Sequence, residues 1–449
     1  MMARIVLVGA GSLQFGLGTM GDIFQSEVLA GSHVVLHDIN PQALAKAEAA
    51  GQAFLKEHDL PFTLSATLDR PVALEGADFV IISIEVGDRF ALWEQDWRVP
   101  QQYGIRQVYG ENGGPGGLFH SLRITPPILA IVGDIMRICP EAIIFNYSNP
   151  MSRICTTVHR RYPEARLIGM CHEISSLKRH LPLILDTPWE NLKTRAGGLN
   201  HFSVLLKASY RDTGRNAYPD ILAKAPAYFE HQPSLGAMLK YAKETGATSE
   251  NAAAEAPTHE EETWAERRLF KAILEDFGLL PITTDSHLGE YVQWAWDAVD
   301  HKGILDFYNF YKQYLAQRAP RIELKLTERV IPIIEGILTD AGYEEAAVNV
   351  PNAGLIPDLP EWLVVEVPGI VDADGIHGVA LPDYPHGFLG MLQDQVAVHN
   401  MTAEAILSGS RAAVVQALLV DPVVDVYAPV RELVDTMLEL QSEHLGYIR

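Results

Sequence analysis

The chain has 449 residues, of which 48% are apolar, and its 57 acidic against 35 basic side chains give a formal charge of -22. This length exceeds one ordinary core, so two closely packed domains are expected. The acidity argues against nucleic acid as a partner, because such interfaces need a basic surface. No uncharged window reaches the roughly 18 residues that a membrane helix requires, which argues against a membrane span.

The cysteine content indicates a reducing environment. Cys139, Cys155 and Cys171 are an odd number of thiols without the spacing of a disulfide scaffold. Such a set is typical of a reduced, cytoplasmic protein whose thiols are structural, catalytic or metal-binding. The first residues run directly into glycines and predict a strand rather than a secretion signal.

Short β-branched runs alternate with helical segments through residues 1–195, which form the first predicted domain. This alternation predicts an α/β fold with a Rossmann-like, doubly wound parallel sheet. Helical spacing of apolar residues over 14–29, and a Pro-initiated segment over 41–58, predict two of the connecting helices. The predicted strands lie in the segments 3–12, 33–40, 77–87, 141–150 and 165–173.

Residues 196–449 predict a mixed second domain that is richer in helices. The alternation weakens there, and long amphipathic stretches such as 259–278 replace it. Because no flexible linker separates the two domains, we expect them to pack tightly and to share a cleft.

The segment GAGSLQFG, directly after the first predicted strand, has features of a nucleotide-binding turn. It supplies Gly9, Gly11 and Gly16, with Ser12 between them, although the spacing departs from the usual dinucleotide fingerprint. A helix N-terminus here offers backbone N–H groups to a pyrophosphate. Asp38 ends the second strand, where a carboxylate binds the ribose of NAD and disfavours NADP. The alternative is a glycine turn with an incidental aspartate.

Cys171 and His201 are candidates for a metal site. Cys171 follows an apolar run, and His201 follows a glycine turn thirty residues later. A thiolate and a neutral imidazole bind borderline divalent ions, and two protein ligands leave positions for substrate oxygens or water. The alternative is a buried thiol and a hydrogen-bonded core histidine. His172 and Glu173, directly after the cysteine, are also consistent with a cap or turn.

Two further segments combine polar side chains with turn residues. NYSNP places Asn146 and Asn149 at another strand end, where they either contact a ligand or terminate the strand. The glycine-rich segment 109–117 carries Glu111 and Asn112. Its backbone can approach a ligand closely, and the alternative is a surface turn.

The segment PITTDSHLGEY, residues 281–291, concentrates three titratable side chains: Asp285, His287 and Glu290. This density indicates a site in the second domain. If the segment begins a helix, however, Asp285 is a simple N-terminal cap.

These motifs, in the order GAGSLQFG, LHDIN, GENGGPGG, NYSNP, GMCHE and GLNHF, resemble those of the family 4 glycoside hydrolases. The resemblance implies a lactate/malate dehydrogenase-like architecture with NAD and a divalent metal, usually Mn2+, in one active site. It also implies hydrolysis without net redox change. Oxidation at C3 of the sugar acidifies C2, elimination and water addition follow, and the hydride then returns.

The resemblance also implies roles for individual residues. Cys171 and His201 match the metal ligands, and Asn149 matches a substrate contact beside the metal. Asn146 matches a position near the nicotinamide ribose. His172 matches the general acid of α-specific members, where it also contacts the substrate.

The base that removes the C2 proton differs between branches of the family. We favour Asp285, with His287 as the second choice, and either needs a pKa suited to abstracting an activated proton near neutrality. Asn112, in the glycine-rich segment, is assigned to the substrate site.

The residues after the metal cysteine distinguish the branches. The sequence Cys-His-Glu-Ile differs from the patterns of the phosphoglycosidases, and Trp93, seven residues before Pro100, replaces their phosphate-binding arginine. An indole stacks on a sugar but cannot form a bidentate phosphate contact, so a phosphosugar is disfavoured. The pattern is most similar to the α-galacturonidase branch, with Ile174 in place of valine.

A galacturonide substrate requires a cation for its carboxylate, and Arg89, Arg98 and Arg123 are the candidates. A neutral α-galactosidase or α-glucosidase, or an α-glucuronidase, is the alternative within the family. The resemblance further implies a homodimer or homotetramer that acts on a small α-glycoside.

Two other classes of protein share the nucleotide domain. An NAD-dependent 2-hydroxy-acid or sugar dehydrogenase needs no Cys/His pair, and it is a shorter chain. A nucleotide sensor binds without turnover and is indifferent to metal.

Overall fold

The computed structural model describes residues 2–12, 15–247, 251–252, 255–258, 263–317 and 321–449. Part of the predicted helix over 259–278 (residues 259–262) and the start of the predicted helix over 14–29 (residue 14) lie outside the described residues. The described helices in these places are Arg268–Phe277 and Phe15–Phe24.

The described residues form one 12-stranded sheet that runs through both halves of the chain. Its strands are β1 Arg4–Val8, β2 His33–His37, β3 Thr63–Thr67, β4 Phe79–Ile82, β5 Ile143–Asn146, β6 Leu167–Gly169, β7 Leu192–Leu199, β8 Phe202–Tyr210, β9 Leu280–Pro281, β10 Tyr343–Pro351, β11 Val364–Asp372 and β12 Gly375–Gly378.

The strand order is β3-β2-β1-β4-β5-β6-β10-β11-β7-β8-β9, with β12 beside β11. All pairs from β3 to β6 are parallel, which confirms the predicted doubly wound sheet. From β6 onward the pairs are antiparallel. The sheet therefore consists of a parallel half, β1–β6, and an antiparallel half, β7–β12, joined where β6 meets β10. The boundary between domains at residues 195 and 196 stays a prediction.

Helices cover the sheet and connect its strands. The helix Pro41–Glu57 illustrates the local signals, because its cap Asn40 accepts hydrogen bonds from the backbone of Gln42 and Ala43, and proline stands in its first turn. The helices are Phe15–Phe24, Pro41–Glu57, Arg70–Leu74, Arg89–Gln102, Gly114–Ile138, Met151–Arg161, Ser175–Leu185, Tyr218–Phe229, Leu235–Thr245, Arg268–Phe277, Asp285–Leu288, Ala295–Ala298, His301–Gln317, Val330–Thr339, His386–Ser408, Arg411–Leu419, Val430–Leu440 and Ser442–Leu445.

The largest hydrophobic core includes buried side chains from Ala3 to Leu392. Strands of the parallel half contribute Ile5 and Phe145 to it, and the antiparallel half contributes Phe202 and Val365. One core therefore holds the two halves of the sheet together, so a residue at their junction has a fixed position.

One helix in the described part of the chain, Gly114–Ile138, is long and apolar enough to cross a bilayer by length and composition. Its most apolar window is 67% buried inside the protein. It also carries Arg123, whose guanidinium forms a buried ion pair with Asp96. The packing is that of an interior helix.

Candidate functional site

The turn after β1 brings its glycines against the neighbouring strands. Gly9 adopts a positive φ of 91°, and a side chain there would collide with the carbonyl of Ser83. The backbone N–H of Gly11 donates to Asp38 Oδ2 at 2.7 Å. The two halves of the predicted nucleotide signature, the glycine turn and the aspartate, are therefore in direct contact.

The first helix begins directly after this turn. The N–H of Gly16 donates to the carbonyl of Ser12 at 2.8 Å, and a Cβ on Gly16 would collide with the carbonyl of Ala10. The third glycine thus permits close approach of the helix to the turn after β1, despite the unusual spacing. This is the arrangement in which a helix N-terminus can bind a phosphate.

The NYSNP turn at the end of β5 separates its two asparagines. Asn146 is fully buried, and its amide donates to the carbonyl of Ser148 at 2.9 Å. Asn149 accepts a hydrogen bond from the N–H of Met151 at 3.3 Å and lines a cavity. The predicted substrate contact, Asn149, faces open space, whereas Asn146 stabilises the turn. The nicotinamide role of Asn146 stays a prediction.

The cavity has a volume of about 370 Å³ and lies at the carboxyl end of β6. This is the side of an open α/β sheet on which ligands bind. The predicted site residues in its wall are Asn149, Cys171, His172, Glu173, His201 and His287.

The predicted metal pair meets across the junction of the two sheet halves. Cys171 Sγ lies 3.4 Å from His201 Nε2. His201 stands in the two-residue turn between β7 and β8, which the pairing of Leu199 with Phe202 closes. The donor atoms of Cys171, Glu173 and His201 all lie within 4.8 Å of one another.

The ionisation of this pair suits a divalent cation. Burial, together with the carboxylates of Glu173 and Glu366, raises the pKa of Cys171 well above its ordinary value. Burial and the imidazoles of His287 and His172 lower the pKa of His201 well below its ordinary value, so the ring is neutral. A neutral imidazole is the ligand form of histidine, and a divalent cation is the partner that favours the thiolate here.

Glu366, which the sequence analysis did not identify, supports the turn that carries His201. It lies in β11 and accepts hydrogen bonds from Asn200 Nδ2 at 2.8 Å, Ser203 Oγ at 3.0 Å and Asn349 Nδ2 at 3.3 Å. Its pKa is raised by burial, against the effect of these hydrogen bonds. A single acid within the apolar run VVEVPG was the available signal, since buried carboxylates need partners.

His287 is enclosed by carboxylates. Its Nε2 lies 3.5 Å from Glu173 Oε1, and its Nδ1 lies 3.5 Å from Glu290 Oε2 and 3.9 Å from Glu111 Oε2. Burial lowers the pKa of His287, but these carboxylates outweigh it and raise the value to about 9. Its ring stacks on that of His201 with 4.4 Å between centroids. The second choice for the base is therefore part of the cavity centre.

Asp285, the favoured base, has a different role in the structure. Its side chain is fully buried and lies outside the cavity wall. Its two oxygens accept backbone hydrogen bonds from Arg268, Leu269, Phe270 and Asp300 at 2.8–3.1 Å. Because Asp285 caps the helix Arg268–Phe277 and does not reach the cavity, the geometry does not support its assignment as base.

Asn112, like Asp285, lies outside the cavity wall. Its side chain is buried outside the cavity wall, and its Nδ2 lies 3.2 Å from His287 Nδ1. Its backbone N–H donates to Glu290 Oε1 at 2.9 Å, and that of Glu111 donates to the same oxygen. The glycine-rich segment therefore orients His287 and Glu290, and the place of Asn112 in the substrate site stays a prediction.

Of the three arginines that we predicted as partners of a uronate carboxylate, one lies in the cavity wall and two form contacts elsewhere. Arg123 forms a bidentate buried pair with Asp96, and Arg98 stacks on Trp97 at 3.7 Å. Arg89 alone of the three lines the cavity, where it binds Glu111 at 2.9 Å. Arg179 and Arg267, which the sequence analysis did not identify, also line the cavity.

His172 stands in the turn after β6, where it lines the cavity and is exposed. Desolvation by the cavity wall, together with the nearby charges of His287 and Arg179, lowers the pKa of His172. The imidazole is therefore neutral and has one N–H to donate. Its role as general acid stays a prediction.

Solved structures share this architecture. A 6-phospho-alpha-glucosidase from gut microorganisms, in complex with NAD and Mn2+, has a TM-score of 0.77 at 20% identity and covers 98% of each chain. The malate dehydrogenase of Cryptosporidium parvum has a TM-score of 0.52 at 13% identity, over 91% of this chain and 100% of that one. The likeness confirms the predicted malate dehydrogenase-like fold, and at these identities it shows the fold alone.

Sequence comparison identifies the class as a glycosyl hydrolase on a dehydrogenase-like fold. The family 4 glycosyl hydrolase model matches residues 4–187, and that of its C-terminal domain matches residues 196–424. The chain therefore belongs to the family 4 glycosyl hydrolases, which confirms the predicted family.

Two relatives of known name are informative about substrate specificity within the family. An alpha-glucosidase of Erwinia rhapontici is 60% identical over 454 residues, covering 100% of each chain. An alpha-galacturonidase of Thermoanaerobacterium saccharolyticum is 28% identical and covers 98% of this chain and 96% of that one. The predicted galacturonide specificity has only distant support.

Proposed function

We propose that this glycosyl hydrolase cleaves α-glucosides with NAD+ and a divalent metal, Mn2+ in the first instance. The observation that carries the proposal is the Cys171–His201 pair beside His287 in one cavity, in a chain 60% identical to an alpha-glucosidase along its full length. The complex of a fold relative with NAD and Mn2+ supports the same cofactors.

Two separate groups of residues would bind the dinucleotide and the cation. The turn of Gly9, Gly11 and Ser12, with Asp38 beside it, would hold the dinucleotide. Cys171 and His201 would hold the cation at the base of the cavity. When bound, NAD+ accepts and returns a hydride, and the cation polarises adjacent sugar oxygens.

Proton transfer falls to the histidines of the cavity. We assign removal of the C2 proton to the neutral form of His287, because it faces the cavity and Asn112 and three carboxylates fix its orientation. Its raised pKa of about 9 makes this neutral form the minor one near neutrality, so the rate should rise with pH toward that value. His172, which faces the same space, would protonate the departing oxygen from its imidazolium form, which is the minor form of a histidine whose pKa is lowered. Asn149 would bind a sugar hydroxyl next to the cation.

The charges of the cavity support a neutral sugar over a uronate. Glu111 and Glu173 are part of its wall, and the guanidinium of Arg89 is engaged by Glu111 at 2.9 Å and Glu85 at 3.7 Å. A sugar carboxylate in this region would meet like charges. Arg179 and Arg267 favour the α-galacturonide as a second candidate, as do the distant relatives named alpha-galacturonidase.

One assay tests both candidates. Nitrophenyl α-glucoside, α-galactoside and α-galacturonide are each incubated with the protein, NAD+, Mn2+ and a reductant, and each component is omitted in turn. We expect phenol release from the α-glucoside that depends on NAD+ and Mn2+, without accumulation of NADH. Preferential cleavage of the α-galacturonide would establish the second candidate, and net NADH formation would instead indicate a dehydrogenase.

We further propose a cytoplasmic homodimer or homotetramer. The free thiols of Cys139, Cys155 and Cys171 support a reducing compartment. Light scattering of the purified protein measures the mass of the assembly against the 49.6 kDa of one chain. A monomer at assay concentration would contradict the oligomer.

A further inference from the structure

Glu173 lines the cavity, and the proposed mechanism uses it only as one of the three carboxylates around His287. Its Oε1 lies 3.8 Å from His201 Nε2, 3.5 Å from His287 Nε2 and 3.3 Å from Thr283 Oγ1. One carboxylate oxygen therefore faces both the metal pair and the proposed proton-transfer residue. A side chain in this position affects both functions.

The three donor atoms form a triangle of the right size for a single cation. Cys171 Sγ and His201 Nε2 are 3.4 Å apart, His201 Nε2 and Glu173 Oε1 are 3.8 Å apart, and all lie within 4.8 Å of one another. A cation about 2.0–2.5 Å from each atom satisfies these separations, and these are ordinary bond lengths to sulfur, nitrogen and oxygen.

We propose that Glu173 is a third protein ligand of the divalent cation and that the same carboxylate holds His287 beside it. The inference rests on the metal site of the proposed function. Three protein ligands would leave further coordination positions for sugar oxygens and water. The single carboxylate couples cation binding to the orientation of His287, because it contacts both.

The added oxygen ligand also affects the choice of metal. Thiolate and imidazole by themselves suit zinc, whereas carboxylate oxygen is a harder donor that suits Mn2+. Glu173 therefore shifts the preference of the site toward Mn2+. The competing explanation is that Glu173 only pairs with His287, in which case the metal affinity does not depend on it.

Metal binding to the full-length protein separates these explanations without an activity assay. The protein is treated with a chelator, and Mn2+ is titrated while free Mn2+ is followed by electron paramagnetic resonance. We expect Glu173→Gln, which keeps the shape and removes the charge, to raise the Kd for Mn2+ at least about tenfold, because it loses an anionic ligand. Glu173→Asp, which retains the carboxylate, should lose less.

The matched control is Glu111→Gln, since Glu111 is another cavity carboxylate that faces His287 but lies outside the Cys171–Glu173–His201 group. Its Kd for Mn2+ should stay within about twofold of wild type. If Glu173→Gln binds Mn2+ with the Kd of wild type, the ligand role of Glu173 is wrong, while the proposed Cys171–His201 metal site is unaffected. A wild-type protein that binds no Mn2+ overturns the metal site of the proposed function itself.

Competition between Mn2+ and Zn2+ supplies a second measurement. Relative to wild type, Glu173→Gln should shift the ratio of affinities toward Zn2+ by about tenfold, whereas Glu173→Asp, which retains the carboxylate, should shift the ratio less. If Glu173→Gln does not fold, Glu173→Ala decides in its place, because an unchanged Kd for Mn2+ in a variant without a side-chain oxygen rejects the ligand role.

Discussion

The two halves of the sheet contribute to the site in different ways. In the parallel half, Asp38, Asn149 and Cys171 each follow the end of a strand, so the chain order itself directs them to one edge. In the antiparallel half, His201 stands in a hairpin turn and Glu366 lies within a strand, where only pairing with neighbours gives them a direction. Site residues at the ends of parallel strands can therefore be predicted from local sequence more easily than site residues in an antiparallel sheet.

The metal pair joins these two kinds of position. Cys171 belongs to the parallel half and His201 to the antiparallel half, and their donor atoms lie 3.4 Å apart. Strand β6 pairs in parallel with β5 and antiparallel with β10, so it joins the two halves of the sheet, and the metal pair lies at this junction. Substitutions in the parallel half should therefore change NAD+ or metal binding, and in the antiparallel half substitutions of His287 or Asp285 should change proton transfer or stability.

The largest effect is expected at the junction itself. Cys171→Ser should lower kcat/KM more than about 10³-fold and abolish the response to Mn2+, because the thiolate ligand is lost. Circular dichroism and the melting temperature should stay close to wild type. Cys139→Ser, at a buried thiol outside the cavity, should retain both activity and metal response. A fully active Cys171→Ser protein contradicts the metal assignment.

The next largest effect is expected in the segment of the second half that carries His287. His287→Ala should lower kcat by about 10²- to 10³-fold, the usual contribution of a proton-transfer residue. The Kd for NAD+ should change little, because the nucleotide turn lies in the parallel half. Steady-state kinetics and calorimetric titration measure the two quantities, and an unchanged kcat excludes His287 from proton transfer.

Asp285, two residues earlier, should behave oppositely. Asp285→Ala leaves four backbone N–H groups without their acceptor, which should lower the free energy of unfolding by about 2–4 kcal/mol. The kcat of the folded protein should change less than about threefold. Urea unfolding and kinetics test this together. A fall in kcat as large as that of His287→Ala would restore Asp285 as the base.

The smallest effect is expected at the far end of the parallel half. A methyl group on Gly11 would lie 2.7 Å from Asp38 Oδ2 and from Ala43 Cβ. Gly11→Ala should therefore weaken NAD+ binding about tenfold, or about 1.4 kcal/mol, and leave Mn2+ binding unchanged. Gly18→Ala is the matched control, because its methyl group would meet only Thr327 Oγ1, at the ordinary contact distance of 4.0 Å. Equal NAD+ affinity in both variants would remove the turn from the proposed nucleotide site.

Part of the site was predictable because the signals are local. The strand-ending positions of Asp38 and Cys171 and the turn before His201 are visible in the sequence, and the structure brings the last two together. Asp285 and His287 show the limit. They are two residues apart in a short helix, and only the packing of Arg268–Phe277 decides which of them caps a helix and which faces the cavity.

The sequence by itself determined the alternation of strands and helices, the order of the motifs and the family, because periodicity and strand-end residues are properties of neighbouring positions. Only the tertiary structure decided that Glu366 supports the turn of His201, that Arg89 is engaged by Glu111, and that Glu173 faces two histidines. These contacts join residues far apart in the chain. Their distances depend on how the two halves of the sheet pair, and no local pattern specifies that.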